Sequence, residues 1–385
     1  MSHPPRALLL AALSTVSVVS GLASARAASP WPAEIAPLFH VPAAFADAND
    51  GRRSPLLFAD GRTAATAADW TARRAEIRAQ WFALMGPWPE LLAAPRLETK
   101  SETARDGFTQ WRVRLEVAAG KFQEALLLLP PGALHDAPPG AGKKFPAVLV
   151  PFYDPETSAG LAPEKPLRDF GAQLARRGFV ALCLGAPGGD ARRPDLGGAN
   201  CQPLSYLVYL AANCHTALAR LTCVDAQRIG VVGHSYGGKW AMFASCLDER
   251  FACAAWSDPG LVFDEARPSI NYWEPWYLGL DATITRAPGL ISATSPRTGP
   301  YATMIAQGRD LHELHALMAP RPFLVTGGSE DTAARWPTLR HAIAVNRILG
   351  REQRVALHNR PKHDPTPESN EAIYRFFETV LRPGN

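Results

Sequence analysis

No stretch of this 385-residue sequence is long and apolar enough to be read as a bilayer span: the N-terminal apolar run, Ala7 to Leu13 behind Arg6, falls well short of the roughly 20 residues a helical span needs. Charge of one sign is also missing. Lys and Arg number 40 against 36 Asp and Glu, and the basic residues are scattered, which excludes a nucleic-acid footprint and favours neutral or weakly charged substrates. Metal-ligand spacing is absent too. The six cysteines contain no C-x-x-C or C-x-x-H pattern, and no Asp or Cys completes a set with His312 and His315. Internal repeats and low-complexity tracts are lacking, which excludes solenoid and propeller architectures.

What is there begins with a leader. Arg6, the apolar run and the small-x-small triplet Ala25-Arg26-Ala27 read as a signal peptide over residues 1–27, with a mature start near Ala28. This predicts a secreted or periplasmic protein with no stable membrane insertion after cleavage. About 355 residues remain, enough for one large α/β domain. In an exported chain, Cys201, Cys214, Cys223 and Cys246, near segment ends, are disulfide candidates, whereas Cys183 and Cys253 lie inside strand-like runs and read as buried thiols.

Residues 28–105, rich in Pro, Ala and Trp, hold one helical stretch, Trp70 to Leu84, stopped by Gly86-Pro87, and read as an N-terminal wrap. Residues 106–385 read as the catalytic domain. A hairpin, Thr109 to Val117 with Gln123 to Leu129, opens it. Short apolar runs follow at Pro146–Pro151, Phe179–Leu184, Arg228–Val232, Phe251–Trp256, Pro322–Thr326 and Arg354–Leu357. Helical patterns alternate with them near 167–177, 203–221, 237–248, 334–348 and 368–381. Such alternation predicts an α/β protein with a mostly parallel sheet covered by helices on both faces. It breaks at about 260–318, where Tyr272, Trp273, Trp276 and Tyr277 mark an insertion over the strand ends.

Gly233-His234-Ser235-Tyr236-Gly237 matches G-x-S-x-G, and its context sharpens the match: Arg228 to Val232 is a buried-strand pattern and Gly238 onward opens a helix. This strand-turn-helix is what a nucleophile elbow needs. The strained turn aims the serine hydroxyl outward, and the helix N-terminus and the Tyr236 N–H face a developing oxyanion. Ser235 is therefore the candidate nucleophile.

A serine hydroxyl needs a base to take its proton and a carboxylate to hold that base in one tautomer. His363, in the loop between the last strand pattern and the C-terminal helix, is the candidate base, preferred to His358, which ends the strand itself. For the acid, Gly327-Gly328-Ser329-Glu330-Asp331 follows a strand. Asp331 is preferred, with Glu330 and Asp258 as alternatives. The second oxyanion donor is expected after the strand ending at Pro151, from the N–H of Phe152 or Tyr153. His234 reads as a satisfied core histidine.

From about residue 107 onward the chain resembles the α/β-hydrolase superfamily, and within it is similar to dienelactone-hydrolase-like and acetyl-xylan-esterase-like bacterial proteins. Gly233-His-Ser-Tyr-Gly-Gly-Lys239 also resembles the Gly-Cys-Ser-Arg-x-Gly-Lys elbow of glucuronoyl esterases, whose lysine touches the uronic sugar. Lys239 matches that lysine. Tyr236 stands in place of the arginine, and Ser235 stands where dienelactone hydrolases proper carry cysteine.

The residues and the resemblance together predict an exported serine hydrolase that cleaves a carboxylic ester through an acyl-enzyme, with no cofactor and no metal. A small-molecule or polysaccharide-linked ester is the expected substrate. An acetyl-xylan or glucuronoyl type is what the resemblance implies, with Lys239, Trp273 and Trp276 as substrate-binding candidates. Two alternatives remain: a prolyl-oligopeptidase-like serine peptidase, because the same triad cleaves amides, and a catalytically silent binding module on a hydrolase fold.

Overall fold

The computed structural model describes Met1, residues 29–134 and residues 142–382, so the signal-peptide reading lies outside the described residues apart from Met1. Among the described residues nine strands form one sheet in the order β1-β2-β3-β5-β4-β6-β7-β8-β9. They are β1 (Leu97–Arg105), β2 (Phe108–Ala118), β3 (Lys121–Leu129), β4 (Phe145–Pro151), β5 (Val180–Leu184), β6 (Val224–His234), β7 (Cys253–Ser257), β8 (Phe323–Gly327) and β9 (Val355–Asn359). From β5 to β9 all neighbours run parallel, while β1, β2 and β3 form an antiparallel flap that joins β5 at its edge.

The helices are α1 (Ala67–Met85), α2 (Pro155–Ser158), α3 (Phe170–Arg176), α4 (Pro203–Arg220), α5 (Tyr236–Leu247), α6 (Gly299–Ala306), α7 (His312–Leu317), α8 (Trp336–Ile348) and α9 (Pro367–Leu381). Local chemistry sets their ends. Thr66 and Asp69 satisfy each other's backbone N–H groups in a capping box at the start of α1, and Gly86 ends it at φ 87°. Thr366 and Ser369 do the same for α9, with Pro367 at the first helical position.

Alternate residues of the central strands feed two cores, as a sheet buried on both faces requires. Ala147 and Leu149 of β4, with Val180, Leu182 and Leu184 of β5, pack on the side of α1, α4, α5 and the insertion. Val148, Val150, Ala181 and Cys183 pack on the other side, with α3, α9 and the N-terminal Trp31, Ile35 and Phe39. The chain has the α/β architecture expected from the alternation of patterns.

Two features differ from the sequence expectations. Strand β1 lies within residues 28–105, yet pairs antiparallel with β2 and extends the sheet. Its sequence, LETKSETAR, is mostly exposed, so it has no buried face to give alternation. All six cysteines are buried and free, including the disulfide candidates Cys201, Cys214, Cys223 and Cys246. They serve as small apolar core residues, and burial pushes the thiols of Cys201 and Cys223 up to about 11.

The insertion after β7 holds α6 and α7 and no strand of the sheet. It is tied together by a buried ion pair, Arg286 Nη1 to Glu274 Oε2 at 3.0 Å, whose side chains are 0% and 2% exposed.

Candidate active site

Ser235 sits between the last residue of β6 and the first of α5, at φ 55° and ψ −115°. A left-handed backbone at a residue with a Cβ costs about 1–3 kcal/mol, so the surroundings must enforce it. They do. The Ser235 N–H donates to the Ser257 carbonyl at 2.8 Å. A Cβ at Gly233 would stand 2.1 Å from the Gly237 carbonyl oxygen, and one at Gly237 would stand 2.1 Å from that of Pro151. Only glycine lets strand, turn and helix approach this closely. Within residues 229–248, Ser235 alone is not buried, so the turn presents a single hydroxyl to solvent.

His363 follows β9 and donates through Nδ1 to Asp258 Oδ2 at 2.7 Å. A carboxylate only accepts, so Nδ1 carries a proton, and in the neutral ring Nε2 then keeps its lone pair. Asp258, at the end of β7, is itself in the left-handed region at φ 49°. Its Oδ1 also accepts the N–H groups of Gly328 at 2.6 Å and Asp331 at 2.9 Å. Burial pushes the Asp258 carboxyl up, but the His363 hydrogen bond, the Gly328 N–H and the charges of His363 and Arg360 outweigh it and hold the group below its ordinary value.

The preference for Asp331 as partner of His363 is therefore corrected. The Asp331 side chain turns away from the imidazole and accepts the N–H groups of Gly260 at 2.7 Å and Leu261 at 2.6 Å. The two aspartates are cross-tied: each carboxylate binds the backbone of the loop that carries the other. Asp331, wholly buried beside the Asp258 charge, is raised above its ordinary value. Glu330 lies closer to the ring. One atom each from Asp258, Glu330 and His363 falls within 4.8 Å of the other two, the set among the described residues that has metal-ligand spacing. Glu330 makes no hydrogen bond to the ring, and its Oε2 accepts from the Ser269 hydroxyl at 2.6 Å.

Of the oxyanion candidates, the Tyr236 N–H opens α5 and has no carbonyl one turn back to bond. The Phe152 N–H is spent on the Leu184 carbonyl at 2.9 Å, which removes it as a donor. No acceptor takes the Tyr153 N–H among the described residues. The Tyr153 ring stacks on Tyr236 with centroids 4.7 Å apart, is 45% exposed, and turns its phenol toward the Ser235 hydroxyl.

The substrate-binding candidates divide. Lys239 is 3% exposed and donates inward to the Pro259 carbonyl at 2.6 Å, with its ammonium 4.9 Å from the centre of the Tyr272 ring. Burial pulls it down to about 8. Trp273 is fully buried, and its indole N–H donates to the Gly289 carbonyl. Neither side chain offers a surface to a substrate, which corrects both expectations. Trp276 is half-buried and lies against Tyr277, which in turn lies 6.3 Å from Tyr236.

One residue that motif reading missed is Arg360. Nearly buried, its guanidinium donates to the carbonyls of Thr326, His363 and Asp364 and to the Ser257 hydroxyl, clamping the loop that carries His363. The same hydroxyl meets His234 Nδ1 at 3.1 Å. The His234 ring, 4.7 Å from that of His363, walls it from below. Burial, then the charges of His363 and Arg360, holds His234 well below its ordinary value and hence neutral. Only the Arg-Pro-Lys-His run around Arg360 hinted at a cation beside the base.

A serine at a strand-helix elbow, with a histidine and an aspartate at neighbouring strand ends of a mainly parallel sheet, is the arrangement of the α/β-hydrolase fold, and the chain has that fold. No family model and no curated protein sequence matches it. Solved structures do. A glucuronoyl esterase from Solibacter usitatus superposes with a TM-score of 0.66 at 19% identity, covering 86% of this chain and 97% of that one. A carbohydrate esterase family 15 glucuronoyl esterase from Teredinibacter turnerae gives 0.57 at 20% identity, covering 88% and 93%. A putative acetyl xylan esterase from Bacteroides fragilis gives 0.54 at 17% identity, covering 84% and 86%.

Proposed function

We propose that the protein is an exported serine hydrolase that cleaves a carboxylic ester, with Ser235 as nucleophile, His363 as base and Asp258 as the orienting acid. The observation that carries this reading is the 2.7 Å hydrogen bond from His363 Nδ1 to a buried, ionised Asp258, with the His363 ring 4.7 Å from that of His234, the residue before the elbow serine. In the first half-reaction Ser235 Oγ attacks the ester carbonyl as His363 Nε2 takes its proton. The N–H groups of Tyr236 and Tyr153 receive the negative charge that forms on the carbonyl oxygen. Collapse of the intermediate expels the alcohol, protonated by His363, and leaves an acyl group on Ser235. Water then repeats the sequence, and the carboxylic acid leaves.

For the substrate, the likeness to glucuronoyl and acetyl xylan esterases supports a carbohydrate ester. With Lys239 and Trp273 buried, the surface that suits a sugar ring is Tyr153 with Trp276, whose faces can cover its C–H groups. The test is twofold. A fluorophosphonate probe should label the wild type and not Ser235→Ala, which should lose about 10⁴- to 10⁶-fold in kcat. Acetylated and methyl-glucuronoyl sugars, p-nitrophenyl acetate and peptide amides are then compared. Trp276→Ala should lower kcat/KM for the sugar ester more than for p-nitrophenyl acetate. Equal losses, or faster amide cleavage, would reject the carbohydrate reading.

A further inference from the structure

Residues 258–261 leave the end of β7 and join no helix or strand, so other parts of the chain must satisfy their polar groups. The Asp258 N–H donates to the Thr326 carbonyl at 3.1 Å, and the backbone then turns left-handed at φ 49°. Such a conformation at a residue with a Cβ persists only where the surroundings impose it. Pro259 has no N–H, so its carbonyl is the polar group it offers. That carbonyl accepts from Lys239 Nζ at 2.6 Å and lies 3.2 Å from the Tyr272 hydroxyl. The same hydroxyl is nearer to the Gly260 carbonyl, at 2.8 Å, and has one proton to give, so Lys239 is the main donor to Pro259. The N–H groups of Gly260 and Leu261 go to Asp331.

Lys239 also reaches the nucleophile. It lies one turn along α5 from Ser235, and its N–H donates to the Ser235 carbonyl at 2.9 Å. One residue thus binds the turn that carries the serine through its backbone and the loop that carries Asp258 through its ammonium. The rings of Tyr272 and Tyr277, with centres 4.9 and 5.8 Å from Nζ, close over the charge. A lysine that touches a substrate must bring its ammonium to solvent, and this residue is 3% exposed. Packing does not account for it either, because an ammonium is far costlier to bury than a methionine of similar size. Its charge has another use. Burial pulls Lys239 down to about 8, while the charges of Asp331, Glu330 and Asp258 act against that fall, so the ammonium offsets the repulsion between two aspartates that each hold the other's loop.

We infer that Lys239 is a positioning residue for the triad: it ties the Ser235 turn to the Asp258 loop and acts on turnover through Asp258, without touching the substrate. The inference rests on Asp258 being the acid that orients His363. Loss of the tie frees the Pro259 carbonyl and lets the left-handed turn relax, which moves the carboxylate against the imidazole, and small displacements of that kind cost up to about 100-fold in rate.

The test is a double-mutant cycle of Lys239→Met with Asp258→Asn, followed by steady-state kinetics on p-nitrophenyl acetate and a methyl-glucuronoyl sugar. Lys239→Met alone should lower kcat about 10- to 100-fold on both substrates and leave KM little changed. In the Asp258→Asn background the same substitution should change kcat less than about twofold, because the group it positions is already gone. Tyr272→Phe, which removes a second tie to the same loop, should give a smaller loss of the same pattern and carries the test if Lys239→Met fails to fold. An unchanged kcat in Lys239→Met, or a raised KM for the sugar ester alone, would overturn the proposal. If Asp258→Asn is crippled and Lys239→Met multiplies that loss by its full factor, the lysine acts by another route and this inference alone fails. If Asp258→Asn keeps wild-type turnover, the assignment of the acid fails and takes the inference with it.

Discussion

Replacing Asp258 by asparagine separates the two aspartates most sharply, because the two carboxylate oxygens of Asp258 face different donors. Oδ1 accepts from Gly328 at 2.6 Å and Asp331 at 2.9 Å, whereas Oδ2 faces His363 Nδ1 at 2.7 Å and the Glu330 N–H at 3.3 Å. In Asp258→Asn the amide oxygen will take the first position, where two short backbone donors converge. The NH₂ group then confronts the His363 Nδ1–H, donor against donor. The ring answers by moving its proton to Nε2, the nitrogen that must be bare to accept from Ser235. Wrong-tautomer catalysis in serine hydrolases of this kind loses about 10⁴-fold in kcat, or about 5 kcal/mol of transition-state stabilisation. Asp331→Asn should behave differently. It opposes an NH₂ to one of two backbone N–H groups, Gly260 or Leu261, so it should cost about 1–3 kcal/mol of stability while kcat stays within about tenfold of wild type. Steady-state kcat on p-nitrophenyl acetate at neutral pH and urea unfolding of both variants decide the matter. If Asp331→Asn loses more turnover than Asp258→Asn, the assignment of the acid is wrong.

Three further outcomes follow from the same geometry. Arg360→Lys keeps a charge but not the four-way clamp on the His363 loop, so kcat should fall about 10- to 100-fold with KM little changed; an unchanged kcat would mean that Arg360 serves the fold alone. Lys239 releases its proton near pH 8 when folded and near 10.5 when unfolded, so the unfolded chain binds more protons between those values and stability should rise with pH across that window; Lys239→Met should flatten the rise in urea midpoints, and an identical slope would show the ammonium is not desolvated. Gly233→Ala drives a Cβ to 2.1 Å from the Gly237 carbonyl oxygen, so it should abolish fluorophosphonate labelling even where circular dichroism shows a folded chain, and retained labelling would mean the elbow can relax.

Much of this protein is legible without a structure, because some signals are local. Alternating buried runs and helical patterns define the parallel sheet, since each element must bury its own face. The elbow is equally local: Gly233, Ser235 and Gly237 lie within one turn, and the steric demand that selects glycine acts between neighbours in the chain. What tertiary structure alone decides are choices among equivalent residues at distant strand ends. Asp258 and Asp331 each follow a parallel strand, each is buried, and each accepts backbone N–H groups from the other's loop. Which one meets His363 depends on where the β9 loop settles after Arg360 is bonded to Thr326 and Ser257, a three-body arrangement with no sequence spacing. Lys239 and Trp273 elude sequence reading for a related reason. Charge and aromaticity suggest a binding surface, but burial depends on the insertion folding back over α5, where the ammonium finds the Pro259 carbonyl and the indole finds Gly289. Strand β1 is invisible to pattern because edge pairing with β2 stabilises it through backbone hydrogen bonds, which leave no trace in the order of side chains.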